Sequence, residues 1–307
     1  QVIMVEIWVQ KTFISGKFYE VILMAKLKLK LKKENPALIK KENKVIGKIP
    51  VEVENVRADL IKDMSFSELE ELEIRAGRKI YKLKEFFEIE GKPAADIEIF
   101  GDLSNFKYLG AEMSSGTIRV NGDVGMHLGS EMTGGKIEID GNAGDWLGAE
   151  MTGGMITVTG DAGHYTGAAF RGDKLGMNRG LIYIEGNAGN FTANKMRRGE
   201  IIIKGDCGDL LGAQMIAGSV YVFGKCGKRV GAGMKRGTIV VFNELELLPT
   251  FNYNISYYPN FLNIAFRHLE NNYGIEIPDQ AFNSNYKRYT GDNTELGKGE
   301  ILIWQKG

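Results

Sequence analysis

Residues 110–243 carry one pattern seven times: GAEMSSGTIRVNG (110–122), GSEMTGGKIEIDG (129–141), GAEMTGGMITVTG (148–160), KLGMNRGLIYIEG (174–186), ANKMRRGEIIIKG (193–205), GAQMIAGSVYVFG (212–224) and GAGMKRGTIVVFN (231–243). Its methionines are Met113, Met132, Met151, Met177, Met196, Met215 and Met234, spaced 19, 19, 26, 19, 19 and 19 residues apart. A fixed period near twenty residues predicts stacked structural repeats. The one long spacing places an insertion within 167–176 (GAAFRGDKLG).

Each unit ends in a short run with branched residues two apart, which face one side of a strand. One column is Ile118, Ile137, Ile156, Ile182, Ile201, Val220 and Ile239; the other is Val120, Ile139, Val158, Ile184, Ile203, Val222 and Val241. A repeat this short has no room for a strand–helix–strand crossover, which needs roughly 30 residues. The pattern therefore predicts a mainly β chain: a right-handed parallel β-helix (solenoid) of about seven coils, with a small α/β N-terminal cap and an irregular C-terminal cap. Glycines recurring at fixed places mark its corners, where positive φ or close backbone approach excludes a side chain. A column of small residues (Val124, Ala143, Ala162, Ala188, Cys207, Cys226) and a column of rings (Tyr108, His127, Trp146, Tyr165, Phe191, then Leu210 and Arg229) complete the unit.

Four segments follow: a leader over 1–23, with Met24 taken as the biological start; an α/β cap over 24–91; the β-helix over 92–243; and a C-terminal cap over 244–307. In the first cap Leu27, Leu29 and Leu31 alternate with lysines as in a strand with one wet face. Ser65 and Glu68 form a capping box for a short helix through Ile74, ended by Gly77. In the tail, residues 264–272 predict a helix and 300–304 a last strand.

With 307 residues, 43% of them apolar, the chain can bury a sizeable core. Zero formal net charge supplies no field toward nucleic acid or anionic lipid. No run of 18 apolar residues predicts a membrane span, and the chain reads as cytoplasmic. Two cysteines, Cys207 and Cys226, are too few for a four-ligand metal site or a disulfide framework.

The search for chemistry returns little. His127, His164 and His268 have no metal-ligand spacing; His127 is read as a stacked ring and His164 as solvent-facing. Ser114 and Ser115 have no base identifiable nearby. The glycines of 122–129 recur in every unit without a helix to follow, so they are corners rather than a phosphate loop. No catalytic, metal or cofactor residue is assigned. The charge columns are more telling. Glu112, Glu131 and Glu150 occupy one column of the first three units, and basic residues enter later, with Arg179, Lys195 and Arg198 the candidate contacts to a partner subunit.

The unit G-x-x-M-x-x-G-x-I-x-V-x-G resembles the C subunit of formylmethanofuran dehydrogenase, a tungsten or molybdenum enzyme family, and is more distantly similar to the C-terminal β-helix domain of the glutamate synthase large subunit. Departures are Lys174 and Ala193 at the opening glycine and Asn243 at the closing one. The resemblance implies a non-catalytic scaffold in a complex that reversibly reduces carbon dioxide with methanofuran to N-formylmethanofuran in methanogenesis. It implies partners that hold the cofactors: a molybdenum or tungsten pterin oxidoreductase, an amidohydrolase-like subunit with a binuclear metal centre, and ferredoxin-like iron–sulfur proteins. A scaffold in a formyltransferase/hydrolase complex and a glutamate-synthase-type spacer are the alternatives.

Overall fold

Both apolar columns are in register. In the computed structural model, which describes residues 9–14, 17–22, 26–42 and 44–305, Ile118, Ile137, Ile156, Ile182, Ile201, Val220 and Ile239 are successive partners in parallel strands. All are completely buried. The columns also run past the repeats. Leu27 and Ile97 precede Ile118, and Ile301 follows Ile239.

That continuation corrects the expected fold. A β-helix of about seven coils closed by separate caps is replaced by one 13-stranded mixed sheet in the order Asn252–Tyr257, Tyr286–Gly291, Gly299–Trp304, Thr238–Val241, Ser219–Val222, Glu200–Ile203, Leu181–Ile184, Met155–Val158, Lys136–Asp140, Thr117–Asn121, Asp96–Phe100, Leu27–Leu31 and Phe87–Glu90. Strands from both supposed caps belong to this sheet. Phe87–Glu90 pairs antiparallel at one edge, and Tyr286–Gly291 and Asn252–Tyr257 do so at the other. The physical reason is register: Leu27/Leu29 and Ile301/Ile303 present the same two-apart apolar pair as the repeats, so they extend the ladder.

The N-terminal segment adds a four-stranded sheet in the order Phe106–Lys107, Val51–Glu52, Glu73–Ala76, Lys79–Lys82. Ser65 caps the helix Phe66–Glu70 as expected, its hydroxyl accepting from the Glu68 N–H while the Glu68 carboxylate accepts from the Ser65 N–H. That helix stops at Glu70, short of Ile74, because Ile74 and Ala76 alternate inward as a strand. Gly77, at φ +59°, turns the following hairpin. In the leader segment, Val9–Ile14 pairs antiparallel with Lys17–Ile22; Met24 lies outside the described residues.

The tail forms the helix and the last strand expected in it, and is more regular than the expected irregular cap. Its helix, Asn260–Tyr273, ends at Gly274 in the left-handed conformation. Leu262, Phe266 and Leu269 pack on the outer face of the later strands, against Leu181, Ile202, Tyr221, Val240 and Leu302. The outward column had already changed to fit: it reads Arg119, Glu138 and Thr157 first, then Tyr183, Ile202, Tyr221 and Val240. Polar residues face water, and apolar ones await a cover.

The methionines explain one glycine column. Each methionine is completely buried. Its methyl carbon lies 2.6–3.0 Å from where a Cβ would stand on a glycine of the next rung: Met113 on Gly135, Met132 on Gly154, Met151 on Gly180, Met177 on Gly199, Met196 on Gly218, Met215 on Gly237 and Met234 on Gly299. A long unbranched side chain reaches the neighbouring rung, and only glycine leaves it room.

Candidate interaction surface

The ring column forms a continuous stack. Tyr108 and His127 have centroids 4.5 Å apart, His127 and Trp146 6.0 Å, Trp146 and Tyr165 4.3 Å, and Tyr165 and Phe191 5.0 Å, all within 14° of parallel. Every one sits at φ between +60° and +65°. A non-glycine residue there costs about 1–2 kcal/mol. The repeat offsets this with two contacts: a stacking interaction of about 0.5–1.5 kcal/mol and a backbone hydrogen bond to the next unit, such as His127 N–H to the Asp145 carbonyl at 2.9 Å.

The insertion folds onto this stack. Phe170 tilts over both His127 and Trp146, at 5.6 and 5.5 Å, and its N–H donates to the Glu150 carboxylate at 2.8 Å. Gly167, not Lys174, occupies the opening corner of the fourth unit. Its carbonyl accepts from Met177 N–H at 3.0 Å, just as Gly148 accepts from Met151 and Gly212 from Met215. The apparent departure at Lys174 is therefore only the insertion's length, whereas Ala193 is a true one: it is buried at φ +60° where other units have glycine.

The acidic column is not uniform. Glu112 pairs with Arg57 at 3.2 Å, Glu131 is exposed, and Glu150 is partly covered by the insertion. Burial, with Asp173 and Glu131 nearby, holds the Glu150 carboxyl above the usual range despite the Phe170 hydrogen bond. Burial likewise holds His127 below the usual imidazole range, and Lys107 adds to this.

Of the predicted contacts, Lys195 is half-buried, and its ammonium donates to the Asp173 carbonyl at 2.8 Å, tying the insertion down. It lines a 350 Å³ groove with Lys174, Leu175, Gln214, Lys235 and Glu295. Arg179 and Arg198 are exposed at equivalent places in successive units.

His164 is exposed, yet its ring nitrogen Nδ1 accepts from Asn190 N–H at 2.9 Å. It belongs to a side-chain ladder that sequence reasoning missed: Asp145 accepts from His164 N–H, Asn190 from Asp209 N–H, and Asp209 from Lys228 N–H. A parallel ladder runs through Asp123, Asn142, Asp161, Asn187 and Asp206. The signal was the recurrence of Asp or Asn at the repeat's own spacing.

His268 contacts Asn272 and the edge of Tyr273 on the C-terminal helix, away from both other histidines. Cys207 and Cys226 are neighbours in the small-residue ladder and are free thiols. Burial pushes both up, Cys226 to about 12. Among the described residues, no group of three or more His, Cys, Asp or Glu is placed to hold a metal ion, and no helix is long and apolar enough to cross a membrane.

This glycine-cornered repeat matches the family model described as the GXGXG motif over residues 101–256. The chain belongs to the GXGXG-motif family. Within it, the chain resembles the C subunit of formylmethanofuran dehydrogenase. It is 45% identical over 80 residues to the C subunit of the molybdenum-containing enzyme 1 of Methanothermobacter thermautotrophicus, covering 25% of this chain and 20% of that relative. It is 38% identical over 84 residues to the C subunit of the tungsten-containing enzyme 2 of Methanothermobacter marburgensis, covering 26% and 31%. The matched stretch thus spans less than a third of either relative's length. A longer likeness is structural. A chain of the formyltransferase/hydrolase complex of Methylorubrum extorquens, crystallised with methylofuran, superimposes with a TM-score of 0.82 at 32% identity. That match covers 91% of this GXGXG chain and all of the other.

Proposed function

We propose that this chain is the scaffold subunit of a formylmethanofuran dehydrogenase complex, holding together the subunits that reduce carbon dioxide and attach the formyl group to methanofuran. The observation that carries this reading is the likeness, over 91% of this chain, to a chain of the formyltransferase/hydrolase complex solved with methylofuran, together with the short matches to the C subunits of the molybdenum and tungsten enzymes. The physical form agrees with it. Extended ladders of stacked rungs give a rigid platform, and the ring stack, insertion and charge columns lie on its surface. On this reading the pterin metal, the iron–sulfur clusters and the binuclear centre belong to partner subunits, and Arg179, Lys195 and Arg198 are contacts to them.

A second reading, a scaffold in a formyltransferase/hydrolase complex without redox subunits, is favoured by the same structural match, since that complex is the one whose chain aligns over its whole length. One experiment separates the two. Anaerobic isolation through a tag on this chain, followed by mass spectrometry, should recover a pterin oxidoreductase, an amidohydrolase and ferredoxin-like proteins. Recovery of an amidohydrolase and a formyltransferase without redox subunits selects the second reading, and a chain recovered alone overturns both.

A further inference from the structure

Beside the main sheet runs a second parallel ladder of single-residue bridges: Leu103, Val124, Ala143, Ala162, Ala188, Cys207 and Cys226. Every rung bonds to the next in the same way. The ladder residue's N–H donates forward, from Val124 to the Asn142 carbonyl at 2.8 Å through to Cys207 and the Lys225 carbonyl at 2.8 Å. Its carbonyl accepts from the next glycine, from Gly144 to Val124 at 2.9 Å through to Gly227 and Cys207 at 2.8 Å. Beneath the ring column a further bond repeats, ending with Leu210 N–H to the Lys228 carbonyl at 2.8 Å.

The two ladders end differently. The main sheet passes beyond the last repeat into Gly299–Trp304, whereas the small-residue ladder stops at Cys226. Among the described residues, the Cys226 N–H and carbonyl and the Arg229 N–H therefore have no hydrogen-bond partner. Backbone groups aligned in this way form a template for one more strand. Space exists beside them. A 580 Å³ groove is lined by Lys225, Cys226, Phe242, Glu244 and Lys287 among others, and a 210 Å³ groove by Lys228, Arg229, Glu246 and Leu247; the basic side chains outnumber the acidic ones in both.

The side chains state what fits. Earlier rungs carry Asp, Asn or His acceptors for the next rung, but the last one carries Lys225 and Lys228 in those places. Lys225, Lys228, Arg229 and Lys287 are all exposed. We infer that the rung Lys225–Arg229 is a docking edge for an extended acidic segment of a partner subunit. That segment pairs its backbone with Cys226 and Arg229, sets a small apolar residue over Cys226 as every earlier rung does, and places carboxylates at Lys225 and Lys228. This rests on the scaffold reading and adds to it where one partner is held.

The test uses the complex isolated through this chain and the same chain purified alone. Hydrogen exchange in the peptide carrying Cys226 and Arg229 should slow about tenfold or more in the complex. A zero-length carbodiimide cross-linker should join Lys225 or Lys228 to an aspartate or glutamate of one partner, in a segment with a small apolar residue beside the acid. Lys225→Glu with Lys228→Glu should release that partner while the chain's melting temperature stays unchanged. A complex that forms normally but leaves this peptide exchanging as in the free chain, and survives the double reversal, overturns the docking edge and leaves the scaffold reading standing. Protection already present in the free monomer, or cross-links only to a second copy of this chain, also overturns it. A chain recovered with no partner at all overturns both.

Discussion

The methyl carbon of Met132 lies 2.7 Å from the position a Cβ on Gly154 would take, so the two residues share one space across adjacent rungs. Gly154 also sits at φ +84° and 2.9 Å from the Gly135 carbonyl oxygen by the same measure. Gly154→Ala meets the methionine, the backbone and left-handed strain together. It should cost about 2 kcal/mol or more, seen as a lower denaturation midpoint. Met132→Ala alone should cost about 2–5 kcal/mol through the cavity it leaves. The double variant should fall short of the sum, because removing the methionine frees space for the new methyl. Strict additivity would mean that the pair does not share this space.

His127 is held below its ordinary pKa by burial, so the folded protein prefers the neutral ring. As pH falls through the unfolded imidazole's range near 6.5 and on toward the lower folded value, the unfolded state takes up the proton first and stability declines. His127→Phe keeps the stack between Tyr108 and Trp146 without a titrating group. The melting temperature of the wild type should therefore fall more than that of the variant between pH 7.5 and 5. Equal losses would contradict the assignment.

Glu150 shifts in the opposite sense, its pKa raised chiefly by burial. For a carboxyl raised on folding, stability is fully present below the unfolded pKa near 4.5 and declines as pH rises through the folded value. Glu150→Gln keeps the oxygen that accepts from Phe170 N–H and removes the charge. It should raise the melting temperature at pH 7 and lose that advantage by pH 4. A variant less stable than the wild type at pH 7 would show that the ionised carboxylate is what the Phe170 N–H requires.

Phe170 holds the insertion to the ring stack. Phe170→Ala removes two tilted ring contacts, worth about 1–3 kcal/mol together. Arg171, exposed beside it, should then be cut faster in limited trypsin digestion, and Trp146 fluorescence should shift to the red. Unchanged cleavage would assign the anchoring to the Lys195–Asp173 hydrogen bond instead.

Cys226, with its thiol pushed up to about 12 by burial, carries almost no thiolate near neutrality. Alkylation by iodoacetamide at pH 8 should be slow in the native chain and rapid once denaturant is added. Fast native labelling would place the thiol in solvent.

Several elements are legible in residue order alone. The two branched columns gave the strands and their register because side-chain period and repeat period are both read directly from residue order. The ring column gave the stack for the same reason. The capping box at Ser65 was visible, but the end of its helix was not. Ile74 and Ala76 suit a helix or a strand, and only Val51–Glu52 and Lys79–Lys82 on either side select the strand. The methionine column was conspicuous without an explanation, since its partner glycine lies a full rung away.

What residue order determined by itself was local and periodic: where strands recur, which faces are apolar, and which corners need glycine. Whether the sheet stops or continues was settled by tertiary pairing. Leu27–Leu31 reaches Asp96–Phe100 across a long stretch of chain, and Gly299–Trp304 returns to Thr238–Val241 after a helix and two further strands. The same holds for Gly167 taking the corner assigned to Lys174, for Phe170 closing over His127, and for the unextended rung at Cys226. Each depends on a partner many residues distant, and hydrogen-bond geometry between rungs exists only once the chain has stacked.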